Sequence, residues 1–123
     1  MTVLVTRKQD APKRIKMMTV ELFPQVGSIL DSVVGVGETP TQKITHLLLS
    51  EIHRHLEACE REQLELEIAY GLEYADFERK LEAGDLGNEF EYEIEMDALR
   101  WSDLIVEKKY WLHQLNQLKG LLK

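Results

Sequence analysis

One cysteine and three prolines in 123 residues leave this chain few covalent or conformational pins. Cys59 has no second thiol to pair with, which points to a reducing compartment, the cytoplasm. Residues 2–5 are too short to form the apolar core of a secretion signal. No apolar run approaches the length that spans a bilayer, so no membrane partner is expected. A phosphate-cradling glycine loop, a Ser/His/Asp set and a Cys/His set are all missing. Without them no catalytic residue can be named, and the expectation is a non-enzyme with no cofactor. Internal repeats and low-complexity segments are also missing.

Charge is plentiful and unevenly placed. The net charge is −7. Residues 1–16 carry Arg7, Lys8, Lys13, Arg14 and Lys16 against Asp10, a net of +4. Residues 51–97 carry sixteen acids against Arg54, Arg61, Arg79 and Lys80, a net of −12. The first stretch reads as a basic arm able to meet phosphate. The second reads as a body that repels nucleic acid and favours a basic partner.

The pattern of apolar residues predicts a mainly α fold. Two long helices, about 40–70 and 89–122, form an antiparallel hairpin with a short helix, about 73–83, between them. A short strand (17–23) and a helix (24–35) come first. In the strand, Met18, Val20 and Leu22 alternate with Met17, Thr19 and Glu21, as in a half-buried strand. Pro24 suits the first turn of the next helix, whose face is Val26, Ile29, Leu30, Val33 and Val34, with Gly35 or Gly37 as its stop. Thr39-Pro40-Thr41-Gln42 reads as a capping box, Thr39 at N-cap and Gln42 at N3. Ile44, Leu48, Ile52, Leu56, Cys59, Leu66 and Tyr70 then line one face up to Gly71. Tyr74, Phe77 and Leu81 line the short helix, which Gly84 stops. Asn88 and Glu91 form a second capping box. In the last helix, Ile94, Asp97, Trp101, Leu104, Lys108, Trp111, Leu115, Leu118 and Leu122 recur at heptad spacing, with Asp97 and Lys108 as breaks. In domain terms, residues 1–16 form the arm and 17–60 a dimerisation region. The helical hairpin of 40–123 shares the second helix with that region.

Candidate chemistry is sparse. His55 and Cys59 lie one helical turn apart and could reach one ion, but no second ligand pair accompanies them, so no metal is expected. The alternating acids from Glu89 to Asp97 spread around a helix rather than converge. Trp101 and Trp111 fit either a core or an anchor for another chain. The order strand, helix, glycine turn, Thr-capped helix in residues 18–57 resembles a ribbon-helix-helix domain. That resemblance implies paired strands of two chains in a major groove and a phosphate at the second helix's N-terminus. The DNA-binding candidates it implies are Lys13, Arg14, Lys16, Thr19, Thr39 and Thr41. Glu21 departs from the pattern, because a carboxylate suits a groove only opposite cytosine.

Tyr70-Gly71, Phe77-Glu78, Tyr92-Glu93-Ile94-Glu95 and Trp101 carry a second resemblance, spanning about residues 39–118. Here the chain resembles antitoxin-like helical proteins of bacterial and archaeal toxin–antitoxin pairs, including partners of TumE-type toxins. The resemblance implies an antitoxin that binds and neutralises a cognate basic toxin, a nuclease, with autoregulatory binding to operator DNA. It also implies a homo- or hetero-oligomer. The partner-binding candidates are Tyr70, Phe77, Glu89, Tyr92, Glu93, Glu95, Trp101 and Trp111. The alternatives are a ribbon-helix-helix regulator without a toxin and a helical scaffold subunit.

Overall fold

The computed structural model describes residues 2–8, 15–37, 39–87 and 91–121, with side chains described from residue 17 onward. In order, the elements are β1 (Thr2–Lys8), β2 (Ile15–Glu21), α1 (Pro24–Val33), α2 (Pro40–Tyr70), α3 (Tyr74–Ala83) and α4 (Glu91–Leu121). The fold is mainly α, as the periodicity requires, and α2 and α4 pack against each other. The chain divides into two compact units, residues 1–52 with 115–123 and residues 53–114.

The first unit holds a strand that the sequence reading placed in the basic arm. β1 pairs antiparallel with β2, Thr2 opposite Glu21 and Lys8 opposite Ile15. Pairing of this kind is set by a partner segment rather than by local pattern, which is why the short run of Val3, Leu4 and Val5 did not reveal it. The expected half-buried strand is also corrected. Residues 17–21 are exposed on both faces, Met17 at 65 % and Met18 at 46 %.

Helix α1 starts at Pro24, whose fixed φ and missing N–H suit a first turn. It ends at Val33 rather than at a glycine, because Val34 turns extended (φ −96, ψ 100) while its N–H still bonds Leu30 O. Gly27, Leu30 and Val34 are buried, but Val26, Ile29 and Val33 are 46–70 % exposed. The expected single face is therefore an apolar arc wider than the fold covers. Lys43 ties α1 to the start of α2 through Asp31 at 3.1 Å.

The α2 capping box is formed as read. Gln42 N–H donates to Thr39 Oγ1 (3.2 Å) and Thr39 N–H donates to Gln42 Oε1 (3.1 Å). Two of the helix's orphan donors are thereby satisfied reciprocally. Leu48, expected on the inner stripe, is 49 % exposed instead. The Asn88 capping box falls outside the described residues.

In the second unit, Gly71 and Gly84 stop their helices at φ +65 and +74, conformations that a side chain disfavours. Gly84 N–H bonds Leu81 O and Asp85 N–H bonds Lys80 O, closing the end of α3. The pairs Tyr70–Asp97, Glu62–Arg100, Glu60–Lys108 and His55–Trp111 run in opposite senses along α2 and α4, so the two helices are antiparallel.

Thr39→Ala removes one half of the capping box. It should lower the unfolding free energy by about 1 kcal/mol in urea melts. A change below about 0.3 kcal/mol would mean the box contributes little.

Candidate interaction surface

The inner seam of α4 is real. Ile94, Trp101, Leu104 and Leu115 are buried, while Asp97, Lys108 and Trp111 are half-buried. Each seam break has a partner. Tyr70 donates its phenol to Asp97 Oδ2 at 2.5 Å, and Lys108 reaches Glu60 at 3.6 Å. Beside the seam, Arg100 grips Glu62 through two nitrogens at 2.8 Å each and Glu107 through a third at 3.2 Å. The fork-on-carboxylate bond holds Glu62 below the usual carboxylate range.

Phe77 and Trp101 are 0 % and 1 % exposed, so neither presents a side chain to another molecule in this fold. Phe77 packs on Trp101 (centroids 4.9 Å apart) and on Tyr70 (4.7 Å). Tyr74 adds a tilted contact to Trp101 at 5.4 Å. Tyr70 is half-buried in this cluster. Trp111 lies flat on His55, at 4.1 Å and 6° between planes. The Cys59 thiol donates to Glu107 at 3.6 Å. Burial, and then Glu107, push the Cys59 thiol's pKa up, which makes it a poor ligand and nucleophile. Among the described residues no group of three or more His, Cys, Asp or Glu side chains is placed to hold a metal ion.

The remaining candidates separate cleanly. Tyr92 is 74 % exposed, and Glu93 and Glu95 are exposed beside it. None of the three makes an ion pair or hydrogen bond among the described residues. Glu89, Lys13 and Arg14 fall outside the described residues, and Lys16 is described only as backbone in β2. Thr19 lies opposite Leu4 in the sheet; the N–H and the hydroxyl oxygen of Thr39 are engaged by Gln42, and its carbonyl by the Lys43 N–H. Thr41, half-buried in the first turn of α2, accepts the Thr45 hydroxyl on its carbonyl. β2 meets β1 of its own chain on one edge, whereas the ribbon-helix-helix reading pairs it with another molecule.

A surface that the sequence reading did not single out lies on the outer side of α4. Met96, Leu99, Val106 and Tyr110 are 47–65 % exposed and continue the line begun by Tyr92. Their signal was present in the sequence as a second series at steps of three and four. It overlaps the series that contains both tryptophans, which is the stronger of the two in number of apolar residues. Where α3 ends and α4 begins, a cavity of about 290 Å³ is lined by Leu81, Leu86 and Ile94 together with Glu91 and Glu95. Comparison with protein-family models, curated proteins and solved structures found no match. No helix among the described residues is long and apolar enough to cross a membrane.

Phe77→Ala should cost about 3–5 kcal/mol, because three rings lose their common neighbour. A loss under about 1 kcal/mol in thermal or urea melts would contradict that role.

Tyr70 makes a pH-dependent contribution. Burial, and then Asp97, push its pKa up to about 12. A raised pKa means the folded protein holds the phenol proton more tightly than the unfolded chain does. The contribution is complete below about pH 10, where the free phenol ionises, and is lost as the pH rises toward about 12. Tyr70→Phe should cost about 1–2 kcal/mol at neutral pH by stranding Asp97, and should flatten the alkaline limb of the stability profile. An unchanged slope between about pH 10 and 12 would show that another group governs it.

Proposed function

We propose that this chain is a non-enzymatic antitoxin that binds and neutralises a basic protein toxin, with a nuclease as the expected partner. The observation that carries the reading is the charge of the second unit. Residues 53–114 hold seventeen acidic side chains against seven basic ones, a net of −10. Most of those carboxylates are exposed, including Glu57, Glu60, Glu65, Glu78, Glu82, Glu91, Glu93 and Glu95. Such a surface steers a cationic protein toward it and competes for the face that protein uses on RNA. It also opposes direct contact of this unit with nucleic acid. The residues that prompted the antitoxin resemblance divide between the two tasks. Tyr70, Phe77 and Trp101 hold the unit together, while Tyr92, Glu93 and Glu95 face outward. Contact with operator DNA belongs to the basic residues 1–16.

Co-expression with the reading frames that flank this gene, with a basic, nuclease-like product expected among them, tests the proposal. The expected result is a co-purifying complex, rescue of growth from the toxic neighbour, and rescue that survives deletion of residues 1–16. Recovery of the protein without any basic partner, or inside a large assembly of unrelated subunits, overturns it.

A further inference from the structure

Helix α4 is apolar on two faces. At about 100° per residue, the series Tyr92, Met96, Leu99, Asp103, Val106 and Tyr110 is centred about 170° from the buried seam of Ile94, Trp101 and Leu104. Its steps are four, three, four, three and four residues, the rhythm of a coiled-coil seam. The line is about 27 Å long at 1.5 Å per residue. Its five apolar members are 47–74 % exposed, and all of them lie within one compact unit. A helix with two apolar faces is suited to lie between neighbours on both sides, and among the described residues only the inner face is covered.

The flanks of the line state what the second neighbour is. Glu93 and Glu95 stand on either side of its first half, and Asp103 occupies a seam position. All three are exposed and make no ion pair among the described residues. Arg100, which would relieve that charge, is engaged by Glu62 and Glu107 of its own unit. A second copy of this chain fits poorly. In parallel register two Asp103 side chains meet. In the antiparallel register that opposes Tyr92 to Tyr110, Asp103 is set against Leu99. We infer that the outer face of α4 is the docking seam for an amphipathic helix of another protein. That helix carries Lys or Arg beside its apolar stripe and a cation opposite Asp103. The inference rests on the basic-partner reading above and assigns that partner's contact element. A single polar seam residue of this kind fixes register as well as partner choice.

The test uses the full chain and a synthetic helical peptide about four heptads long. The peptide has leucine at its seam positions and lysine at its flanks. A twin with glutamate flanks serves as control. By calorimetry the lysine peptide should bind, more weakly as salt rises, and the glutamate peptide should not. Leu99→Glu with Val106→Glu should weaken binding roughly tenfold or more, as expected for changes at the centre of an interface. Both positions are exposed, so circular dichroism and the melting temperature should stay unchanged. Failure of the lysine peptide to bind, or binding that the double variant leaves intact, overturns the inference. So does sedimentation showing that the protein alone dimerises and that the double variant abolishes the dimer. The two readings fail separately. A basic protein that co-purifies equally with the double variant removes this seam and leaves the antitoxin reading standing. Peptide binding without any co-purifying basic protein does the reverse.

Discussion

Phe77 is the residue on which the second unit turns. It sits on the short helix α3 and is fully buried against rings from α2 and α4. Two long antiparallel helices alone offer only a narrow line of contact. A third element placed across their end converts that line into a small core. The glycines at 71 and 84 make this geometry reachable by ending α2 and α3 sharply, so that ten residues of α3 can fold back. The bond between Tyr70 and Asp97 then fixes how far α4 slides along α2. A shift by one heptad would leave a half-buried carboxylate without its donor.

With the interior organised in this way, the outer side of α4 is left without work inside the unit. Apolar residues in scattered positions on a surface are ordinary. Five in heptad rhythm along one helix, bordered by carboxylates that make no ion pair among the described residues, are not scattered. Helix α1 shows the same excess differently, with Gly27, Leu30 and Val34 covered while Ile29 and Val33 remain bare. Both units therefore present more apolar surface than their own packing consumes.

Local chemistry was the most legible part of the sequence. The Thr39–Gln42 box, the Gly71 and Gly84 stops and the Tyr74–Phe77–Leu81 face depend on neighbours within four residues, and each formed as read. The inner seam of α4 was legible because tryptophan and leucine repeat at one phase. What escaped depended on distant partners or on overlapping signals. β1 exists because β2 pairs with it, a relation that no short window contains. The apolar faces of β2 and α1 were real, but periodicity cannot say whether anything covers a face. The candidate site divided for the same reason. Aromatic residues at seam spacing look alike whether they serve a core or an anchor. Only burial separated Phe77 and Trp101 from Tyr92.

The uneven charge of the two units has a colloidal consequence. The net of −7 is the remainder of −10 on residues 53–114 and +3 on the rest. Mutual repulsion between molecules therefore comes almost wholly from carboxylates on the second unit. As the medium acidifies toward the isoelectric point near 5.1, that repulsion fades while the bare stripes of α1 and α4 stay as they are. Solubility in this protein is thus an electrostatic property laid over an apolar exterior, and it is narrowest on the acid side of neutrality.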